Sequence, residues 1–580
     1  MKRPRSLIVV VFAFACPAAS CGHQGRPASD RSSTVTISIV GTNDLHGAIL
    51  PTDDRGGLAL LNGFVRNLRA QRVADGGGVL LLDAGDLFQG SLESNLTEGA
   101  VVVSAYNAMG YDAAALGNHE FDFGPAGDAV TPETPDDDPR GALKARAAEA
   151  RFPFLAANIL DEDTNRPVQW PNVRPSTIVN VAGFRIGIVG LTTAEALRLT
   201  MPANTRGLTI APLAATLTAE TVRVRQSGAT IVVATAHAGG TCDTFDNPVD
   251  LSSCNPDEEI FTVARQLPAG LVDAIVAGHR HAGIAHEVAG IPIVASYWRG
   301  RAFGRIDLMV DRASGRVQRH RLFPPREVCA REDPRNGRCA NPSNGTDGPV
   351  RYEGQPVVAS EEIAALLAPA AARVRAVKER PLDAEMEHAV PLWKQDESAL
   401  GNLMADWMRA VVPSADVAIT TSGSLRAALP AGRLTYGHLY ELLPFDTQEV
   451  LIALTGRELR RVIEQTLRQP DRVLLISGFR AAATCEHTRL HVALRRESGA
   501  VVRDDETLSV VTSDFLASGG DDVFTPIVPL RVTRSDGPLI REHIADWLTG
   551  SARRWRAVDL TPTARRITYP GTRPVTCETP

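Results

Sequence analysis

Short apolar segments alternate with helical patterns through the first half of this 580-residue chain. The segments are apolar on both faces, which is typical of strands covered by other layers on each side. The predicted strands are Val35–Val40, Val79–Leu82, Ala113–Leu116, Ile186–Val189, Ile231–Ala234 and Ala274–Ala277. This alternation predicts an α/β domain up to roughly residue 325, and a chain of this length is expected to form two domains.

A second α/β pattern follows a stretch with the composition of a domain boundary. Residues 326–356 are rich in Gly, Pro, Asn and Arg, which is typical of a linker. Ser360 is a suitable N-cap for a helix that runs to Lys378. Further strands are predicted at Val417–Thr420, Val450–Leu454 and Leu508–Val511. We therefore predict domains at 34–357 and 381–580, joined by a connecting helix at 358–380.

The first 21 residues have the pattern of a secretory signal. Three basic residues precede an apolar run that is too short to span a bilayer: Lys2, Arg3 and Arg5, then Leu7–Ala15. The residues before Cys21 resemble a lipoprotein cleavage box, and simple cleavage near Ser20 is the alternative. We predict export to the periplasm or outer cell surface, with membrane contact only through a lipid on Cys21.

Six cysteines follow this signal, and an exported chain can oxidise them. Proximity in sequence favours the pairs Cys242–Cys254 and Cys329–Cys339, which leaves Cys485 to pair with Cys577. The formal net charge of -6 gives no electrostatic basis for a nucleic-acid partner. A charged, proline-rich stretch at 127–141 is predicted to be a solvated insertion loop.

Polar motifs stand at the ends of the first-domain strands. They are TNDLHG with Asp44 and His46, DAGDLFQG with Asp86, GNHEFD with Asn118, His119 and Asp122, TAHAGG with His237, and GHRH with His279 and His281. Because ligands of α/β sheets bind outside the carboxyl ends of strands, these motifs can converge on one pocket. Any one motif alone also fits turn or capping chemistry, but their conjunction predicts a functional site.

The residue types in these motifs suit two divalent cations, because carboxylate, imidazole and amide groups together complete two sites. Two metals about 3.5 to 4 Å apart polarise a phosphoryl group and deprotonate a bridging water. Asp122 lies three residues after His119, so it can orient the imidazole to stabilise charge or protonate the leaving oxygen. Zn, Mn, Co and Mg all suit such ligands. The sequence predicts a centre that hydrolyses phosphate esters.

On these motifs, and on the stretches Gly56–Ala70 and Phe152–Ile159, the chain resembles the bacterial 5'-nucleotidases, two-domain calcineurin-like metallophosphatases. The resemblance implies an N-terminal sandwich of two mixed sheets flanked by helices and a C-terminal α/β substrate-binding domain. It also implies two metal sites with Asp86 as the bridge. One comprises Asp44, His46, Asp86 and His281, and the other Asp86, Asn118, His237 and His279.

The same resemblance implies that the C-terminal domain binds the nucleotide. The matching residues are Arg426 for phosphate, Phe445 and Phe515 for stacking on the base, and Asp521 for the ribose. Both phenylalanines also fit a role in the core. Thr421 replaces an expected asparagine, and Asp396 stands where some members place a second phosphate-binding arginine. A carboxylate there is expected to repel phosphate.

The expected substrate is a nucleoside 5'-monophosphate, a small molecule that is hydrolysed to nucleoside and phosphate. UDP-sugars, 2',3'-cyclic nucleotides and 3'-nucleotides are alternatives, as are a thiosulfohydrolase of the same superfamily and a non-catalytic surface binding protein. If one domain holds the substrate and the other the metals, the two must meet during turnover. The helix at Ser360–Lys378 is the expected hinge, and the sequence specifies no oligomeric state.

Overall fold

The computed structural model describes residues 33–577, apart from 53, 128, 334, 336–337, 341–347, 471, 551, 557–558 and 560–564. The predicted signal segment and Cys21 lie outside these residues. Within the described part of the chain, no helix combines the length and apolar character that crossing a membrane requires.

Two mixed sheets pack face to face in the N-terminal half. The seven-stranded sheet has the order Val317–Glu327, Ala302–Asp311, Thr34–Thr42, Gly78–Asp83, Ala113–Ala115, Phe154–Leu155 and Val173–Arg174. The six-stranded sheet has the order Gly283–Val288, Ile291–Ser296, Ala274–Ala277, Ile231–His237, Phe184–Thr192 and Ser176–Val181. Fully buried aliphatic side chains, including Ile37, Leu80 and Ile188, form the layer between the sheets. The predicted strands and the sandwich are confirmed.

Helices cover the outer face of each sheet. Leu58–Ala74, Ala100–Met109 and Gly141–Glu149 cover the first sheet, and Leu213–Gln226 and Glu259–Gln266 cover the second. Short helices lie at Leu92–Asn95 and Pro202–Thr205, and a small sheet comprises Leu208–Ile210, Ile159–Asp161 and Arg166–Pro167. The described residues from 122 to 140 form no helix or strand, as expected for the insertion loop.

The described residues between 326 and 356 pack against the sandwich, so the prediction of a linker was wrong. Short antiparallel pairs join Arg331–Glu332 to Gly348–Pro349, and Arg351–Tyr352 to Gln355–Pro356. Val328 and Val350 are fully buried, and the ring of Tyr352 lies 5.5 Å from that of Phe64. The high Gly and Pro content suggested a linker, because buried residues such as Val328 and Val350 are too few to give a periodic apolar pattern.

The connecting helix is Glu361–Lys378, and its N-cap is as predicted, because the Ser360 side chain accepts a hydrogen bond from the Ile363 backbone N–H. The helix packs against Leu58–Ala74 of the first domain and Tyr436–Leu442 of the second. At its end, Lys378 Nζ lies 3.1 Å from Glu93 and 3.2 Å from Glu441. The helix therefore joins the two halves physically, and its role as a hinge stays a prediction.

The C-terminal half is centred on a five-stranded mixed sheet. Its order is Leu474–Ser477, Val417–Thr421, Thr507–Ser513, Glu449–Thr455 and Arg531–Arg534. The helices are Ala399–Val411, Tyr436–Leu442, Gly456–Leu467, Asp514–Ala517 and Ile540–Leu548. Two small sheets comprise Gly432–Thr435, Pro381–Met386 and Arg553–Trp555, and Arg489–Arg496, Phe479–Glu486 and Ile567–Thr568. The three predicted strands are confirmed, and apolar cores include side chains of this sheet.

The three predicted disulfides are confirmed. They join Cys242 to Cys254, Cys329 to Cys339, and Cys485 to Cys577. The third closes a loop of 92 residues and attaches the C-terminal segment to the strand Phe479–Glu486. Cross-links of this kind stabilise a fold mainly by restricting the unfolded chain.

Candidate functional site

Asp44, His46 and His281 converge at the carboxyl end of the strand Thr34–Thr42. His46 Nε2 lies 2.9 Å from His281 Nε2, and His281 Nε2 lies 3.4 Å from Asp44 Oδ1. This oxygen of Asp44 is buried without a hydrogen-bond partner. Burial, followed by the charge of His281, lowers the pKa of His46 well below its usual value. Neutral imidazoles facing a buried, unpaired carboxylate oxygen are a donor set that fits a divalent cation.

Asp86, Asn118, His237 and His279 form a second cluster beside the first. His237 Nε2 lies 3.2 Å from Asp86 Oδ2, 3.1 Å from Asn118 Oδ1 and 3.1 Å from His279 Nδ1. Burial opposes a charge on His237, but the adjacent Asp86 carboxylate raises its pKa to about 10. Asp86 Oδ2 is also 3.8 Å from His46 Nε2. The carboxylate therefore lies between the two clusters, at the position predicted for a bridging ligand.

Backbone carbonyl groups orient two of the imidazole rings. His46 Nδ1 lies 3.0 Å from the Gln89 carbonyl oxygen, and His237 Nδ1 lies 2.9 Å from that of Ala84. An Nδ1–H that donates to a carbonyl directs Nε2 into the cluster, where it can bind a cation when the ring is neutral. This is the usual arrangement of metal-ligating histidines.

Five of the seven predicted metal ligands have left-handed backbone conformations. They are Asp44, His46, Asp86, His279 and His281, with φ between 49° and 78°. Such conformations are unfavourable for residues with a Cβ, by about 1–2 kcal/mol each. Gly117 makes the close approach of two loops feasible, because a Cβ there would lie 2.1 Å from Asp86 Oδ1.

Glu120 was not among the predicted site residues, although it stands in the GNHEFD motif beside His119. Its buried carboxylate accepts backbone N–H groups from Asp86, Leu87 and Gly117, at 2.9, 2.6 and 2.7 Å. Burial, together with the neighbouring Asp86, raises its pKa to about 8. Glu120 therefore fastens the Asp86 loop to the loop that carries Asn118 and His119.

His119 is held from both domains. Its Nδ1 lies 2.6 Å from Asp122 Oδ2, and Thr200 donates a hydrogen bond of 2.7 Å to Asp122 Oδ1. On the opposite side, Arg426 Nη2 of the C-terminal domain lies 2.6 Å from His119 Nε2. Because Arg426 can only donate, the His119 ring accepts at Nε2 and donates from Nδ1 to Asp122. The predicted pair of His119 and Asp122 is thus in direct contact.

A cavity of about 570 Å³ lies between the two domains. The residues that line it from the first domain, here the N-terminal wall, include Asp86, Asn118, His119, Asp122, His279 and His281. The residues that line it from the second domain, here the C-terminal wall, include Thr421, Arg426, Phe445, Phe515 and Asp521. The other predicted metal ligands, Asp44, His46 and His237, are buried beside these residues. All four predicted substrate residues therefore face the same space as the metal-ligand clusters.

Arg426 and Asp521 are held in the C-terminal wall by different contacts. The Arg426 guanidinium lies 5.1 Å from the centre of the Phe445 ring, and its Nε is buried without a hydrogen-bond partner. Thr421, the residue in the expected asparagine position, donates a hydrogen bond of 2.8 Å to Asp521 Oδ2. Burial raises the pKa of Asp521. The threonine therefore still supports a residue of this wall.

Asp396 does not line the cavity. Its carboxylate pairs with Arg565 and accepts a hydrogen bond of 3.1 Å from the Tyr569 hydroxyl. The expected repulsion of phosphate therefore does not arise, because the side chain is held away from the C-terminal wall. Lys394, two residues earlier, lines the cavity instead and was not predicted.

Loops of the two domains are also joined beside the cavity. Gln89 Nε2 and Asn95 Nδ2 donate to the Pro444 carbonyl oxygen at 2.9 and 3.1 Å. Arg198 Nη1 lies 3.3 Å from Asp522 Oδ2. These contacts hold the N-terminal and C-terminal walls opposite one another.

Comparison with known proteins agrees with the arrangement of the two domains. Residues 37–283 match the calcineurin-like phosphoesterase family, and residues 382–527 match the 5'-nucleotidase C-terminal domain family. The chain is 26% identical over 518 residues to Protein UshA of Yersinia enterocolitica, covering 85% of this chain and 87% of that protein. It is 24% identical over 558 residues to Endonuclease YhcR of Bacillus subtilis, covering 93% of this chain but only 42% of that relative.

Solved structures share the fold. A 5'-nucleotidase precursor from Thermus thermophilus superposes with a TM-score of 0.70 at 24% identity, covering 92% of this chain and 99% of that one. The sulfate thiohydrolase SoxB from Thermus thermophilus gives a TM-score of 0.68 at 18% identity, covering 93% and 98%. At these identities the likeness shows the fold alone, so the family assignment rests on the two matched domains. With a calcineurin-like phosphoesterase domain followed by a 5'-nucleotidase C-terminal domain, the chain belongs to the two-domain 5'-nucleotidase family of calcineurin-like metallophosphatases.

Proposed function

We propose that the protein is an exported enzyme that hydrolyses nucleoside 5'-monophosphates to nucleoside and phosphate. The contact between Arg426 and His119, at 2.6 Å, is the observation that carries this proposal. It brings an anion-binding guanidinium from one domain to the metal-ligand clusters of the other. A phosphate ester in the cavity would therefore contact both walls at once.

The proposed cofactor is a pair of divalent cations, held by the ligand sets given above with Asp86 shared between them. The support is the unpaired buried oxygen of Asp44 and the convergence of imidazole nitrogens in each cluster. Bound cations supply Lewis-acid polarisation of the phosphoryl group and lower the pKa of coordinated water. Mixed nitrogen and oxygen ligands suit Zn, Mn, Co and Mg alike.

The side chains of this protein would position the ester and manage its charge. Arg426 binds phosphoryl oxygens, for which its planar guanidinium is suited. Its present contact with His119 then gives way to the substrate, which frees His119 Nε2. Asp122, fixed by Thr200, orients the His119 ring. His119 can therefore stabilise charge on the leaving ribose oxygen or protonate it.

Recognition of the nucleoside is assigned to the remaining residues of the C-terminal wall. Phe445 and Phe515 are half-buried, so a ring face of each is available to a planar base. Stacking on such rings contributes about 1–3 kcal/mol per base in other sites. Asp521 is the proposed partner of the ribose hydroxyls. These groups favour a nucleotide over an ester that lacks a base and a ribose.

We propose the periplasm or the outer cell surface as the location, with lipidation of Cys21. Three disulfides support an oxidising compartment. Labelling of the expressed chain with a radioactive fatty acid tests the anchor, with Cys21→Ser as the control. Label that persists in the variant would contradict lipidation at this residue.

The activity is tested by phosphate release from AMP, a UDP-sugar, 2',3'-cyclic AMP and 3'-AMP. Each substrate is assayed with chelator and then with added Mn, Zn, Co or Mg. We expect metal-dependent release, with the highest kcat/KM for AMP. A higher kcat/KM for another substrate would reassign the specificity, and no metal-dependent release from any of them would refute the proposal.

We also propose that the domains, with bounds at 34–357 and 381–580, move about the connecting helix to admit substrate. The support is that the cavity lies between them and that Gln89 and Asn95 contact Pro444 beside it. A disulfide engineered between these two loops should abolish turnover when oxidised, and mild reduction should restore it. Wild-type protein given the same reductant is the control, and full activity of the oxidised variant would contradict the movement.

A further inference from the structure

The indole of Trp298 lies against the first metal-ligand cluster, which comprises Asp44, His46 and His281. Its ring centre is 4.9 Å from that of His281, and the two planes differ by only 11°, so these rings are stacked. The indole also lies 6.4 Å from the His46 ring, with the planes at 79°. Stacked and edge-to-face arrangements are the favoured contacts between aromatic rings. Both histidines of this cluster therefore contact one tryptophan that the proposed function does not use.

His281 lacks the backbone contact that orients two of the other rings. The Nδ1 atoms of His46 and His237 each contact a carbonyl oxygen, at 3.0 and 2.9 Å. Within the described part of the chain, no backbone carbonyl holds His281 in this way, and its recorded polar contacts are those of Nε2 with His46 and Asp44. Stacking leaves the ring nitrogens free, because the indole contacts the face of the imidazole. Trp298 therefore fixes the plane of the His281 ring where no hydrogen bond does.

The backbone on each side of Trp298 is attached to a loop that carries a ligand. The Arg299 backbone N–H donates to the Asp44 carbonyl oxygen at 2.8 Å, and the Tyr297 N–H donates at 3.2 Å to that of Ala282, the residue after the GHRH motif. Tyr297 and Arg299 both have left-handed backbones, with φ of 59° and 58°. Such conformations are unfavourable for residues with a Cβ and persist only when their surroundings enforce them. The turn therefore places the indole by firm contacts with both loops.

Trp298 can affect the substrate only through His281. It is half-buried, and the described residues that line the cavity include His281 but not Trp298. The Arg299 guanidinium lies 4.8 Å from the centre of the indole ring, a cation–π contact that helps to hold the ring in place. Any contribution of Trp298 therefore passes through the ligand that it stacks on.

We propose that Trp298 is a positioning residue for the cation of the first cluster, because it fixes the His281 ring and stabilises that ring when it is bound to a cation. Coordination draws electron density from an imidazole, and an electron-poor ring stacks more favourably on the electron-rich face of an indole. This inference rests on the pair of cations in the proposed function. Within the described residues, no ring contact joins Trp298 to His237 or His279, so the second cluster should be unaffected.

The test measures metal affinity in Trp298→Ala, Trp298→Phe and Trp298→Leu. Apoprotein prepared with chelator is dialysed against a series of free Mn²⁺ concentrations, and the bound ions per chain are counted by mass spectrometry. Trp298→Ala should weaken one of the two ions about 10- to 100-fold, the usual effect of removing a group that orients a ligand, and leave the other unchanged. Trp298→Phe keeps a flat ring and should recover most of the affinity. Trp298→Leu keeps an apolar side chain without a flat face and should not.

A second pair of variants shows whether Trp298 acts through His281. Adding Trp298→Ala to His281→Ala should cause no further loss of affinity, because the ring that the indole orients is already absent. Trp547→Ala is the matched control, since Trp547 is also half-buried and has the Arg553 guanidinium 3.9 Å from its ring centre, but lies in the C-terminal domain. This variant should bind both ions as the wild type does.

Wild-type affinity for both ions in Trp298→Ala would overturn the inference. Equal affinities of Trp298→Phe and Trp298→Leu would overturn it too, as would a full additional loss in the His281→Ala background. If Trp298→Ala does not fold, the Phe and Leu variants still provide the comparison. A wild-type protein that binds two ions but releases no phosphate from nucleotides would refute the proposed substrate, and the metal titrations would still decide the role of Trp298.

Discussion

The two walls of the cavity are built in different ways. In the N-terminal wall, ligand atoms lie 2.9–3.4 Å apart, and Asp86 and Asn118 are each only 2% exposed. In the C-terminal wall, the predicted substrate residues Arg426, Phe445, Phe515 and Asp521 are half-buried, and Asp521 is held by one hydrogen bond from Thr421. Dense mutual contacts fix the groups of the N-terminal wall, whereas the proposed recognition of the nucleoside would depend on the shape and charge of a looser surface. We therefore expect substitutions such as Thr421 to be tolerated better in the C-terminal wall than in the N-terminal wall.

The largest effect is expected from replacing Asp86, which lies between the two clusters of the N-terminal wall. Asp86→Asn removes the charge shared by both clusters, so kcat should fall by more than about 10³-fold for AMP and for p-nitrophenyl phosphate alike. Metal content measured by mass spectrometry should fall with it. Asp243→Asn, at an exposed position, is the control, and bound metal at the wild-type level in Asp86→Asn would contradict the shared role.

Asp83 tests the support beneath the N-terminal wall. It is fully buried, accepts hydrogen bonds from Thr42 and Tyr106 at 2.6 and 2.8 Å, and has its pKa raised by burial to about 6. A carboxyl group whose pKa is higher in the folded than in the unfolded protein stabilises the fold at pH values below its unfolded pKa, which is about 4. This stabilisation is lost as the pH rises through the folded pKa of about 6. Relative to Asp83→Asn, the wild-type free energy of unfolding should therefore fall by about 2 kcal/mol between pH 4 and 7.

Denaturant unfolding of both proteins at several pH values, with chelator present throughout, measures this difference. The chelator keeps metal affinity out of the comparison. A difference between wild type and Asp83→Asn that stays constant from pH 4 to 7 would show that Asp83 does not titrate in this range.

In the C-terminal wall, replacing either of the two phenylalanines should have different kinetic effects. Phe515→Ala should raise KM for AMP about tenfold, because the variant loses the stacking contact with the base. KM for p-nitrophenyl phosphate should stay unchanged, because this substrate has no base. Phe445 also contacts Arg426 and lies 5.6 Å from the His119 ring. Phe445→Ala should therefore impair both substrates, and equal effects of the two variants on p-nitrophenyl phosphate would refute this distinction.

The smallest effect is expected at Thr421. Thr421→Val removes the hydrogen bond to Asp521 and keeps the shape of the side chain, so KM for AMP should rise only about two- to fivefold. The ratio of kcat/KM for AMP to kcat/KM for its 2',3'-dideoxy analogue should fall, because Asp521 loses the hydrogen bond that orients it. Unchanged discrimination would mean that Asp521 does not read the ribose.

The sequence predicted the N-terminal wall well for a physical reason. Asp44 and Asp86 directly follow buried strands, and the carboxyl ends of parallel strands meet at one edge of a sheet. Residues whose role depends on the direction of the side chain were harder to predict from the sequence. Glu120 points back to three backbone N–H groups, and Lys394 rather than Asp396 faces the cavity. Neither direction follows from composition or spacing.

The left-handed backbone of five predicted metal ligands has a consequence for cation binding. At Asp86, the surrounding protein maintains this conformation through the carboxylate of Glu120 and the close approach permitted by Gly117. Loops that are preorganised in this way lose little conformational entropy when a cation enters. Removing the metals should therefore leave a folded, reloadable apoprotein, unlike small zinc domains in which the ion itself drives folding.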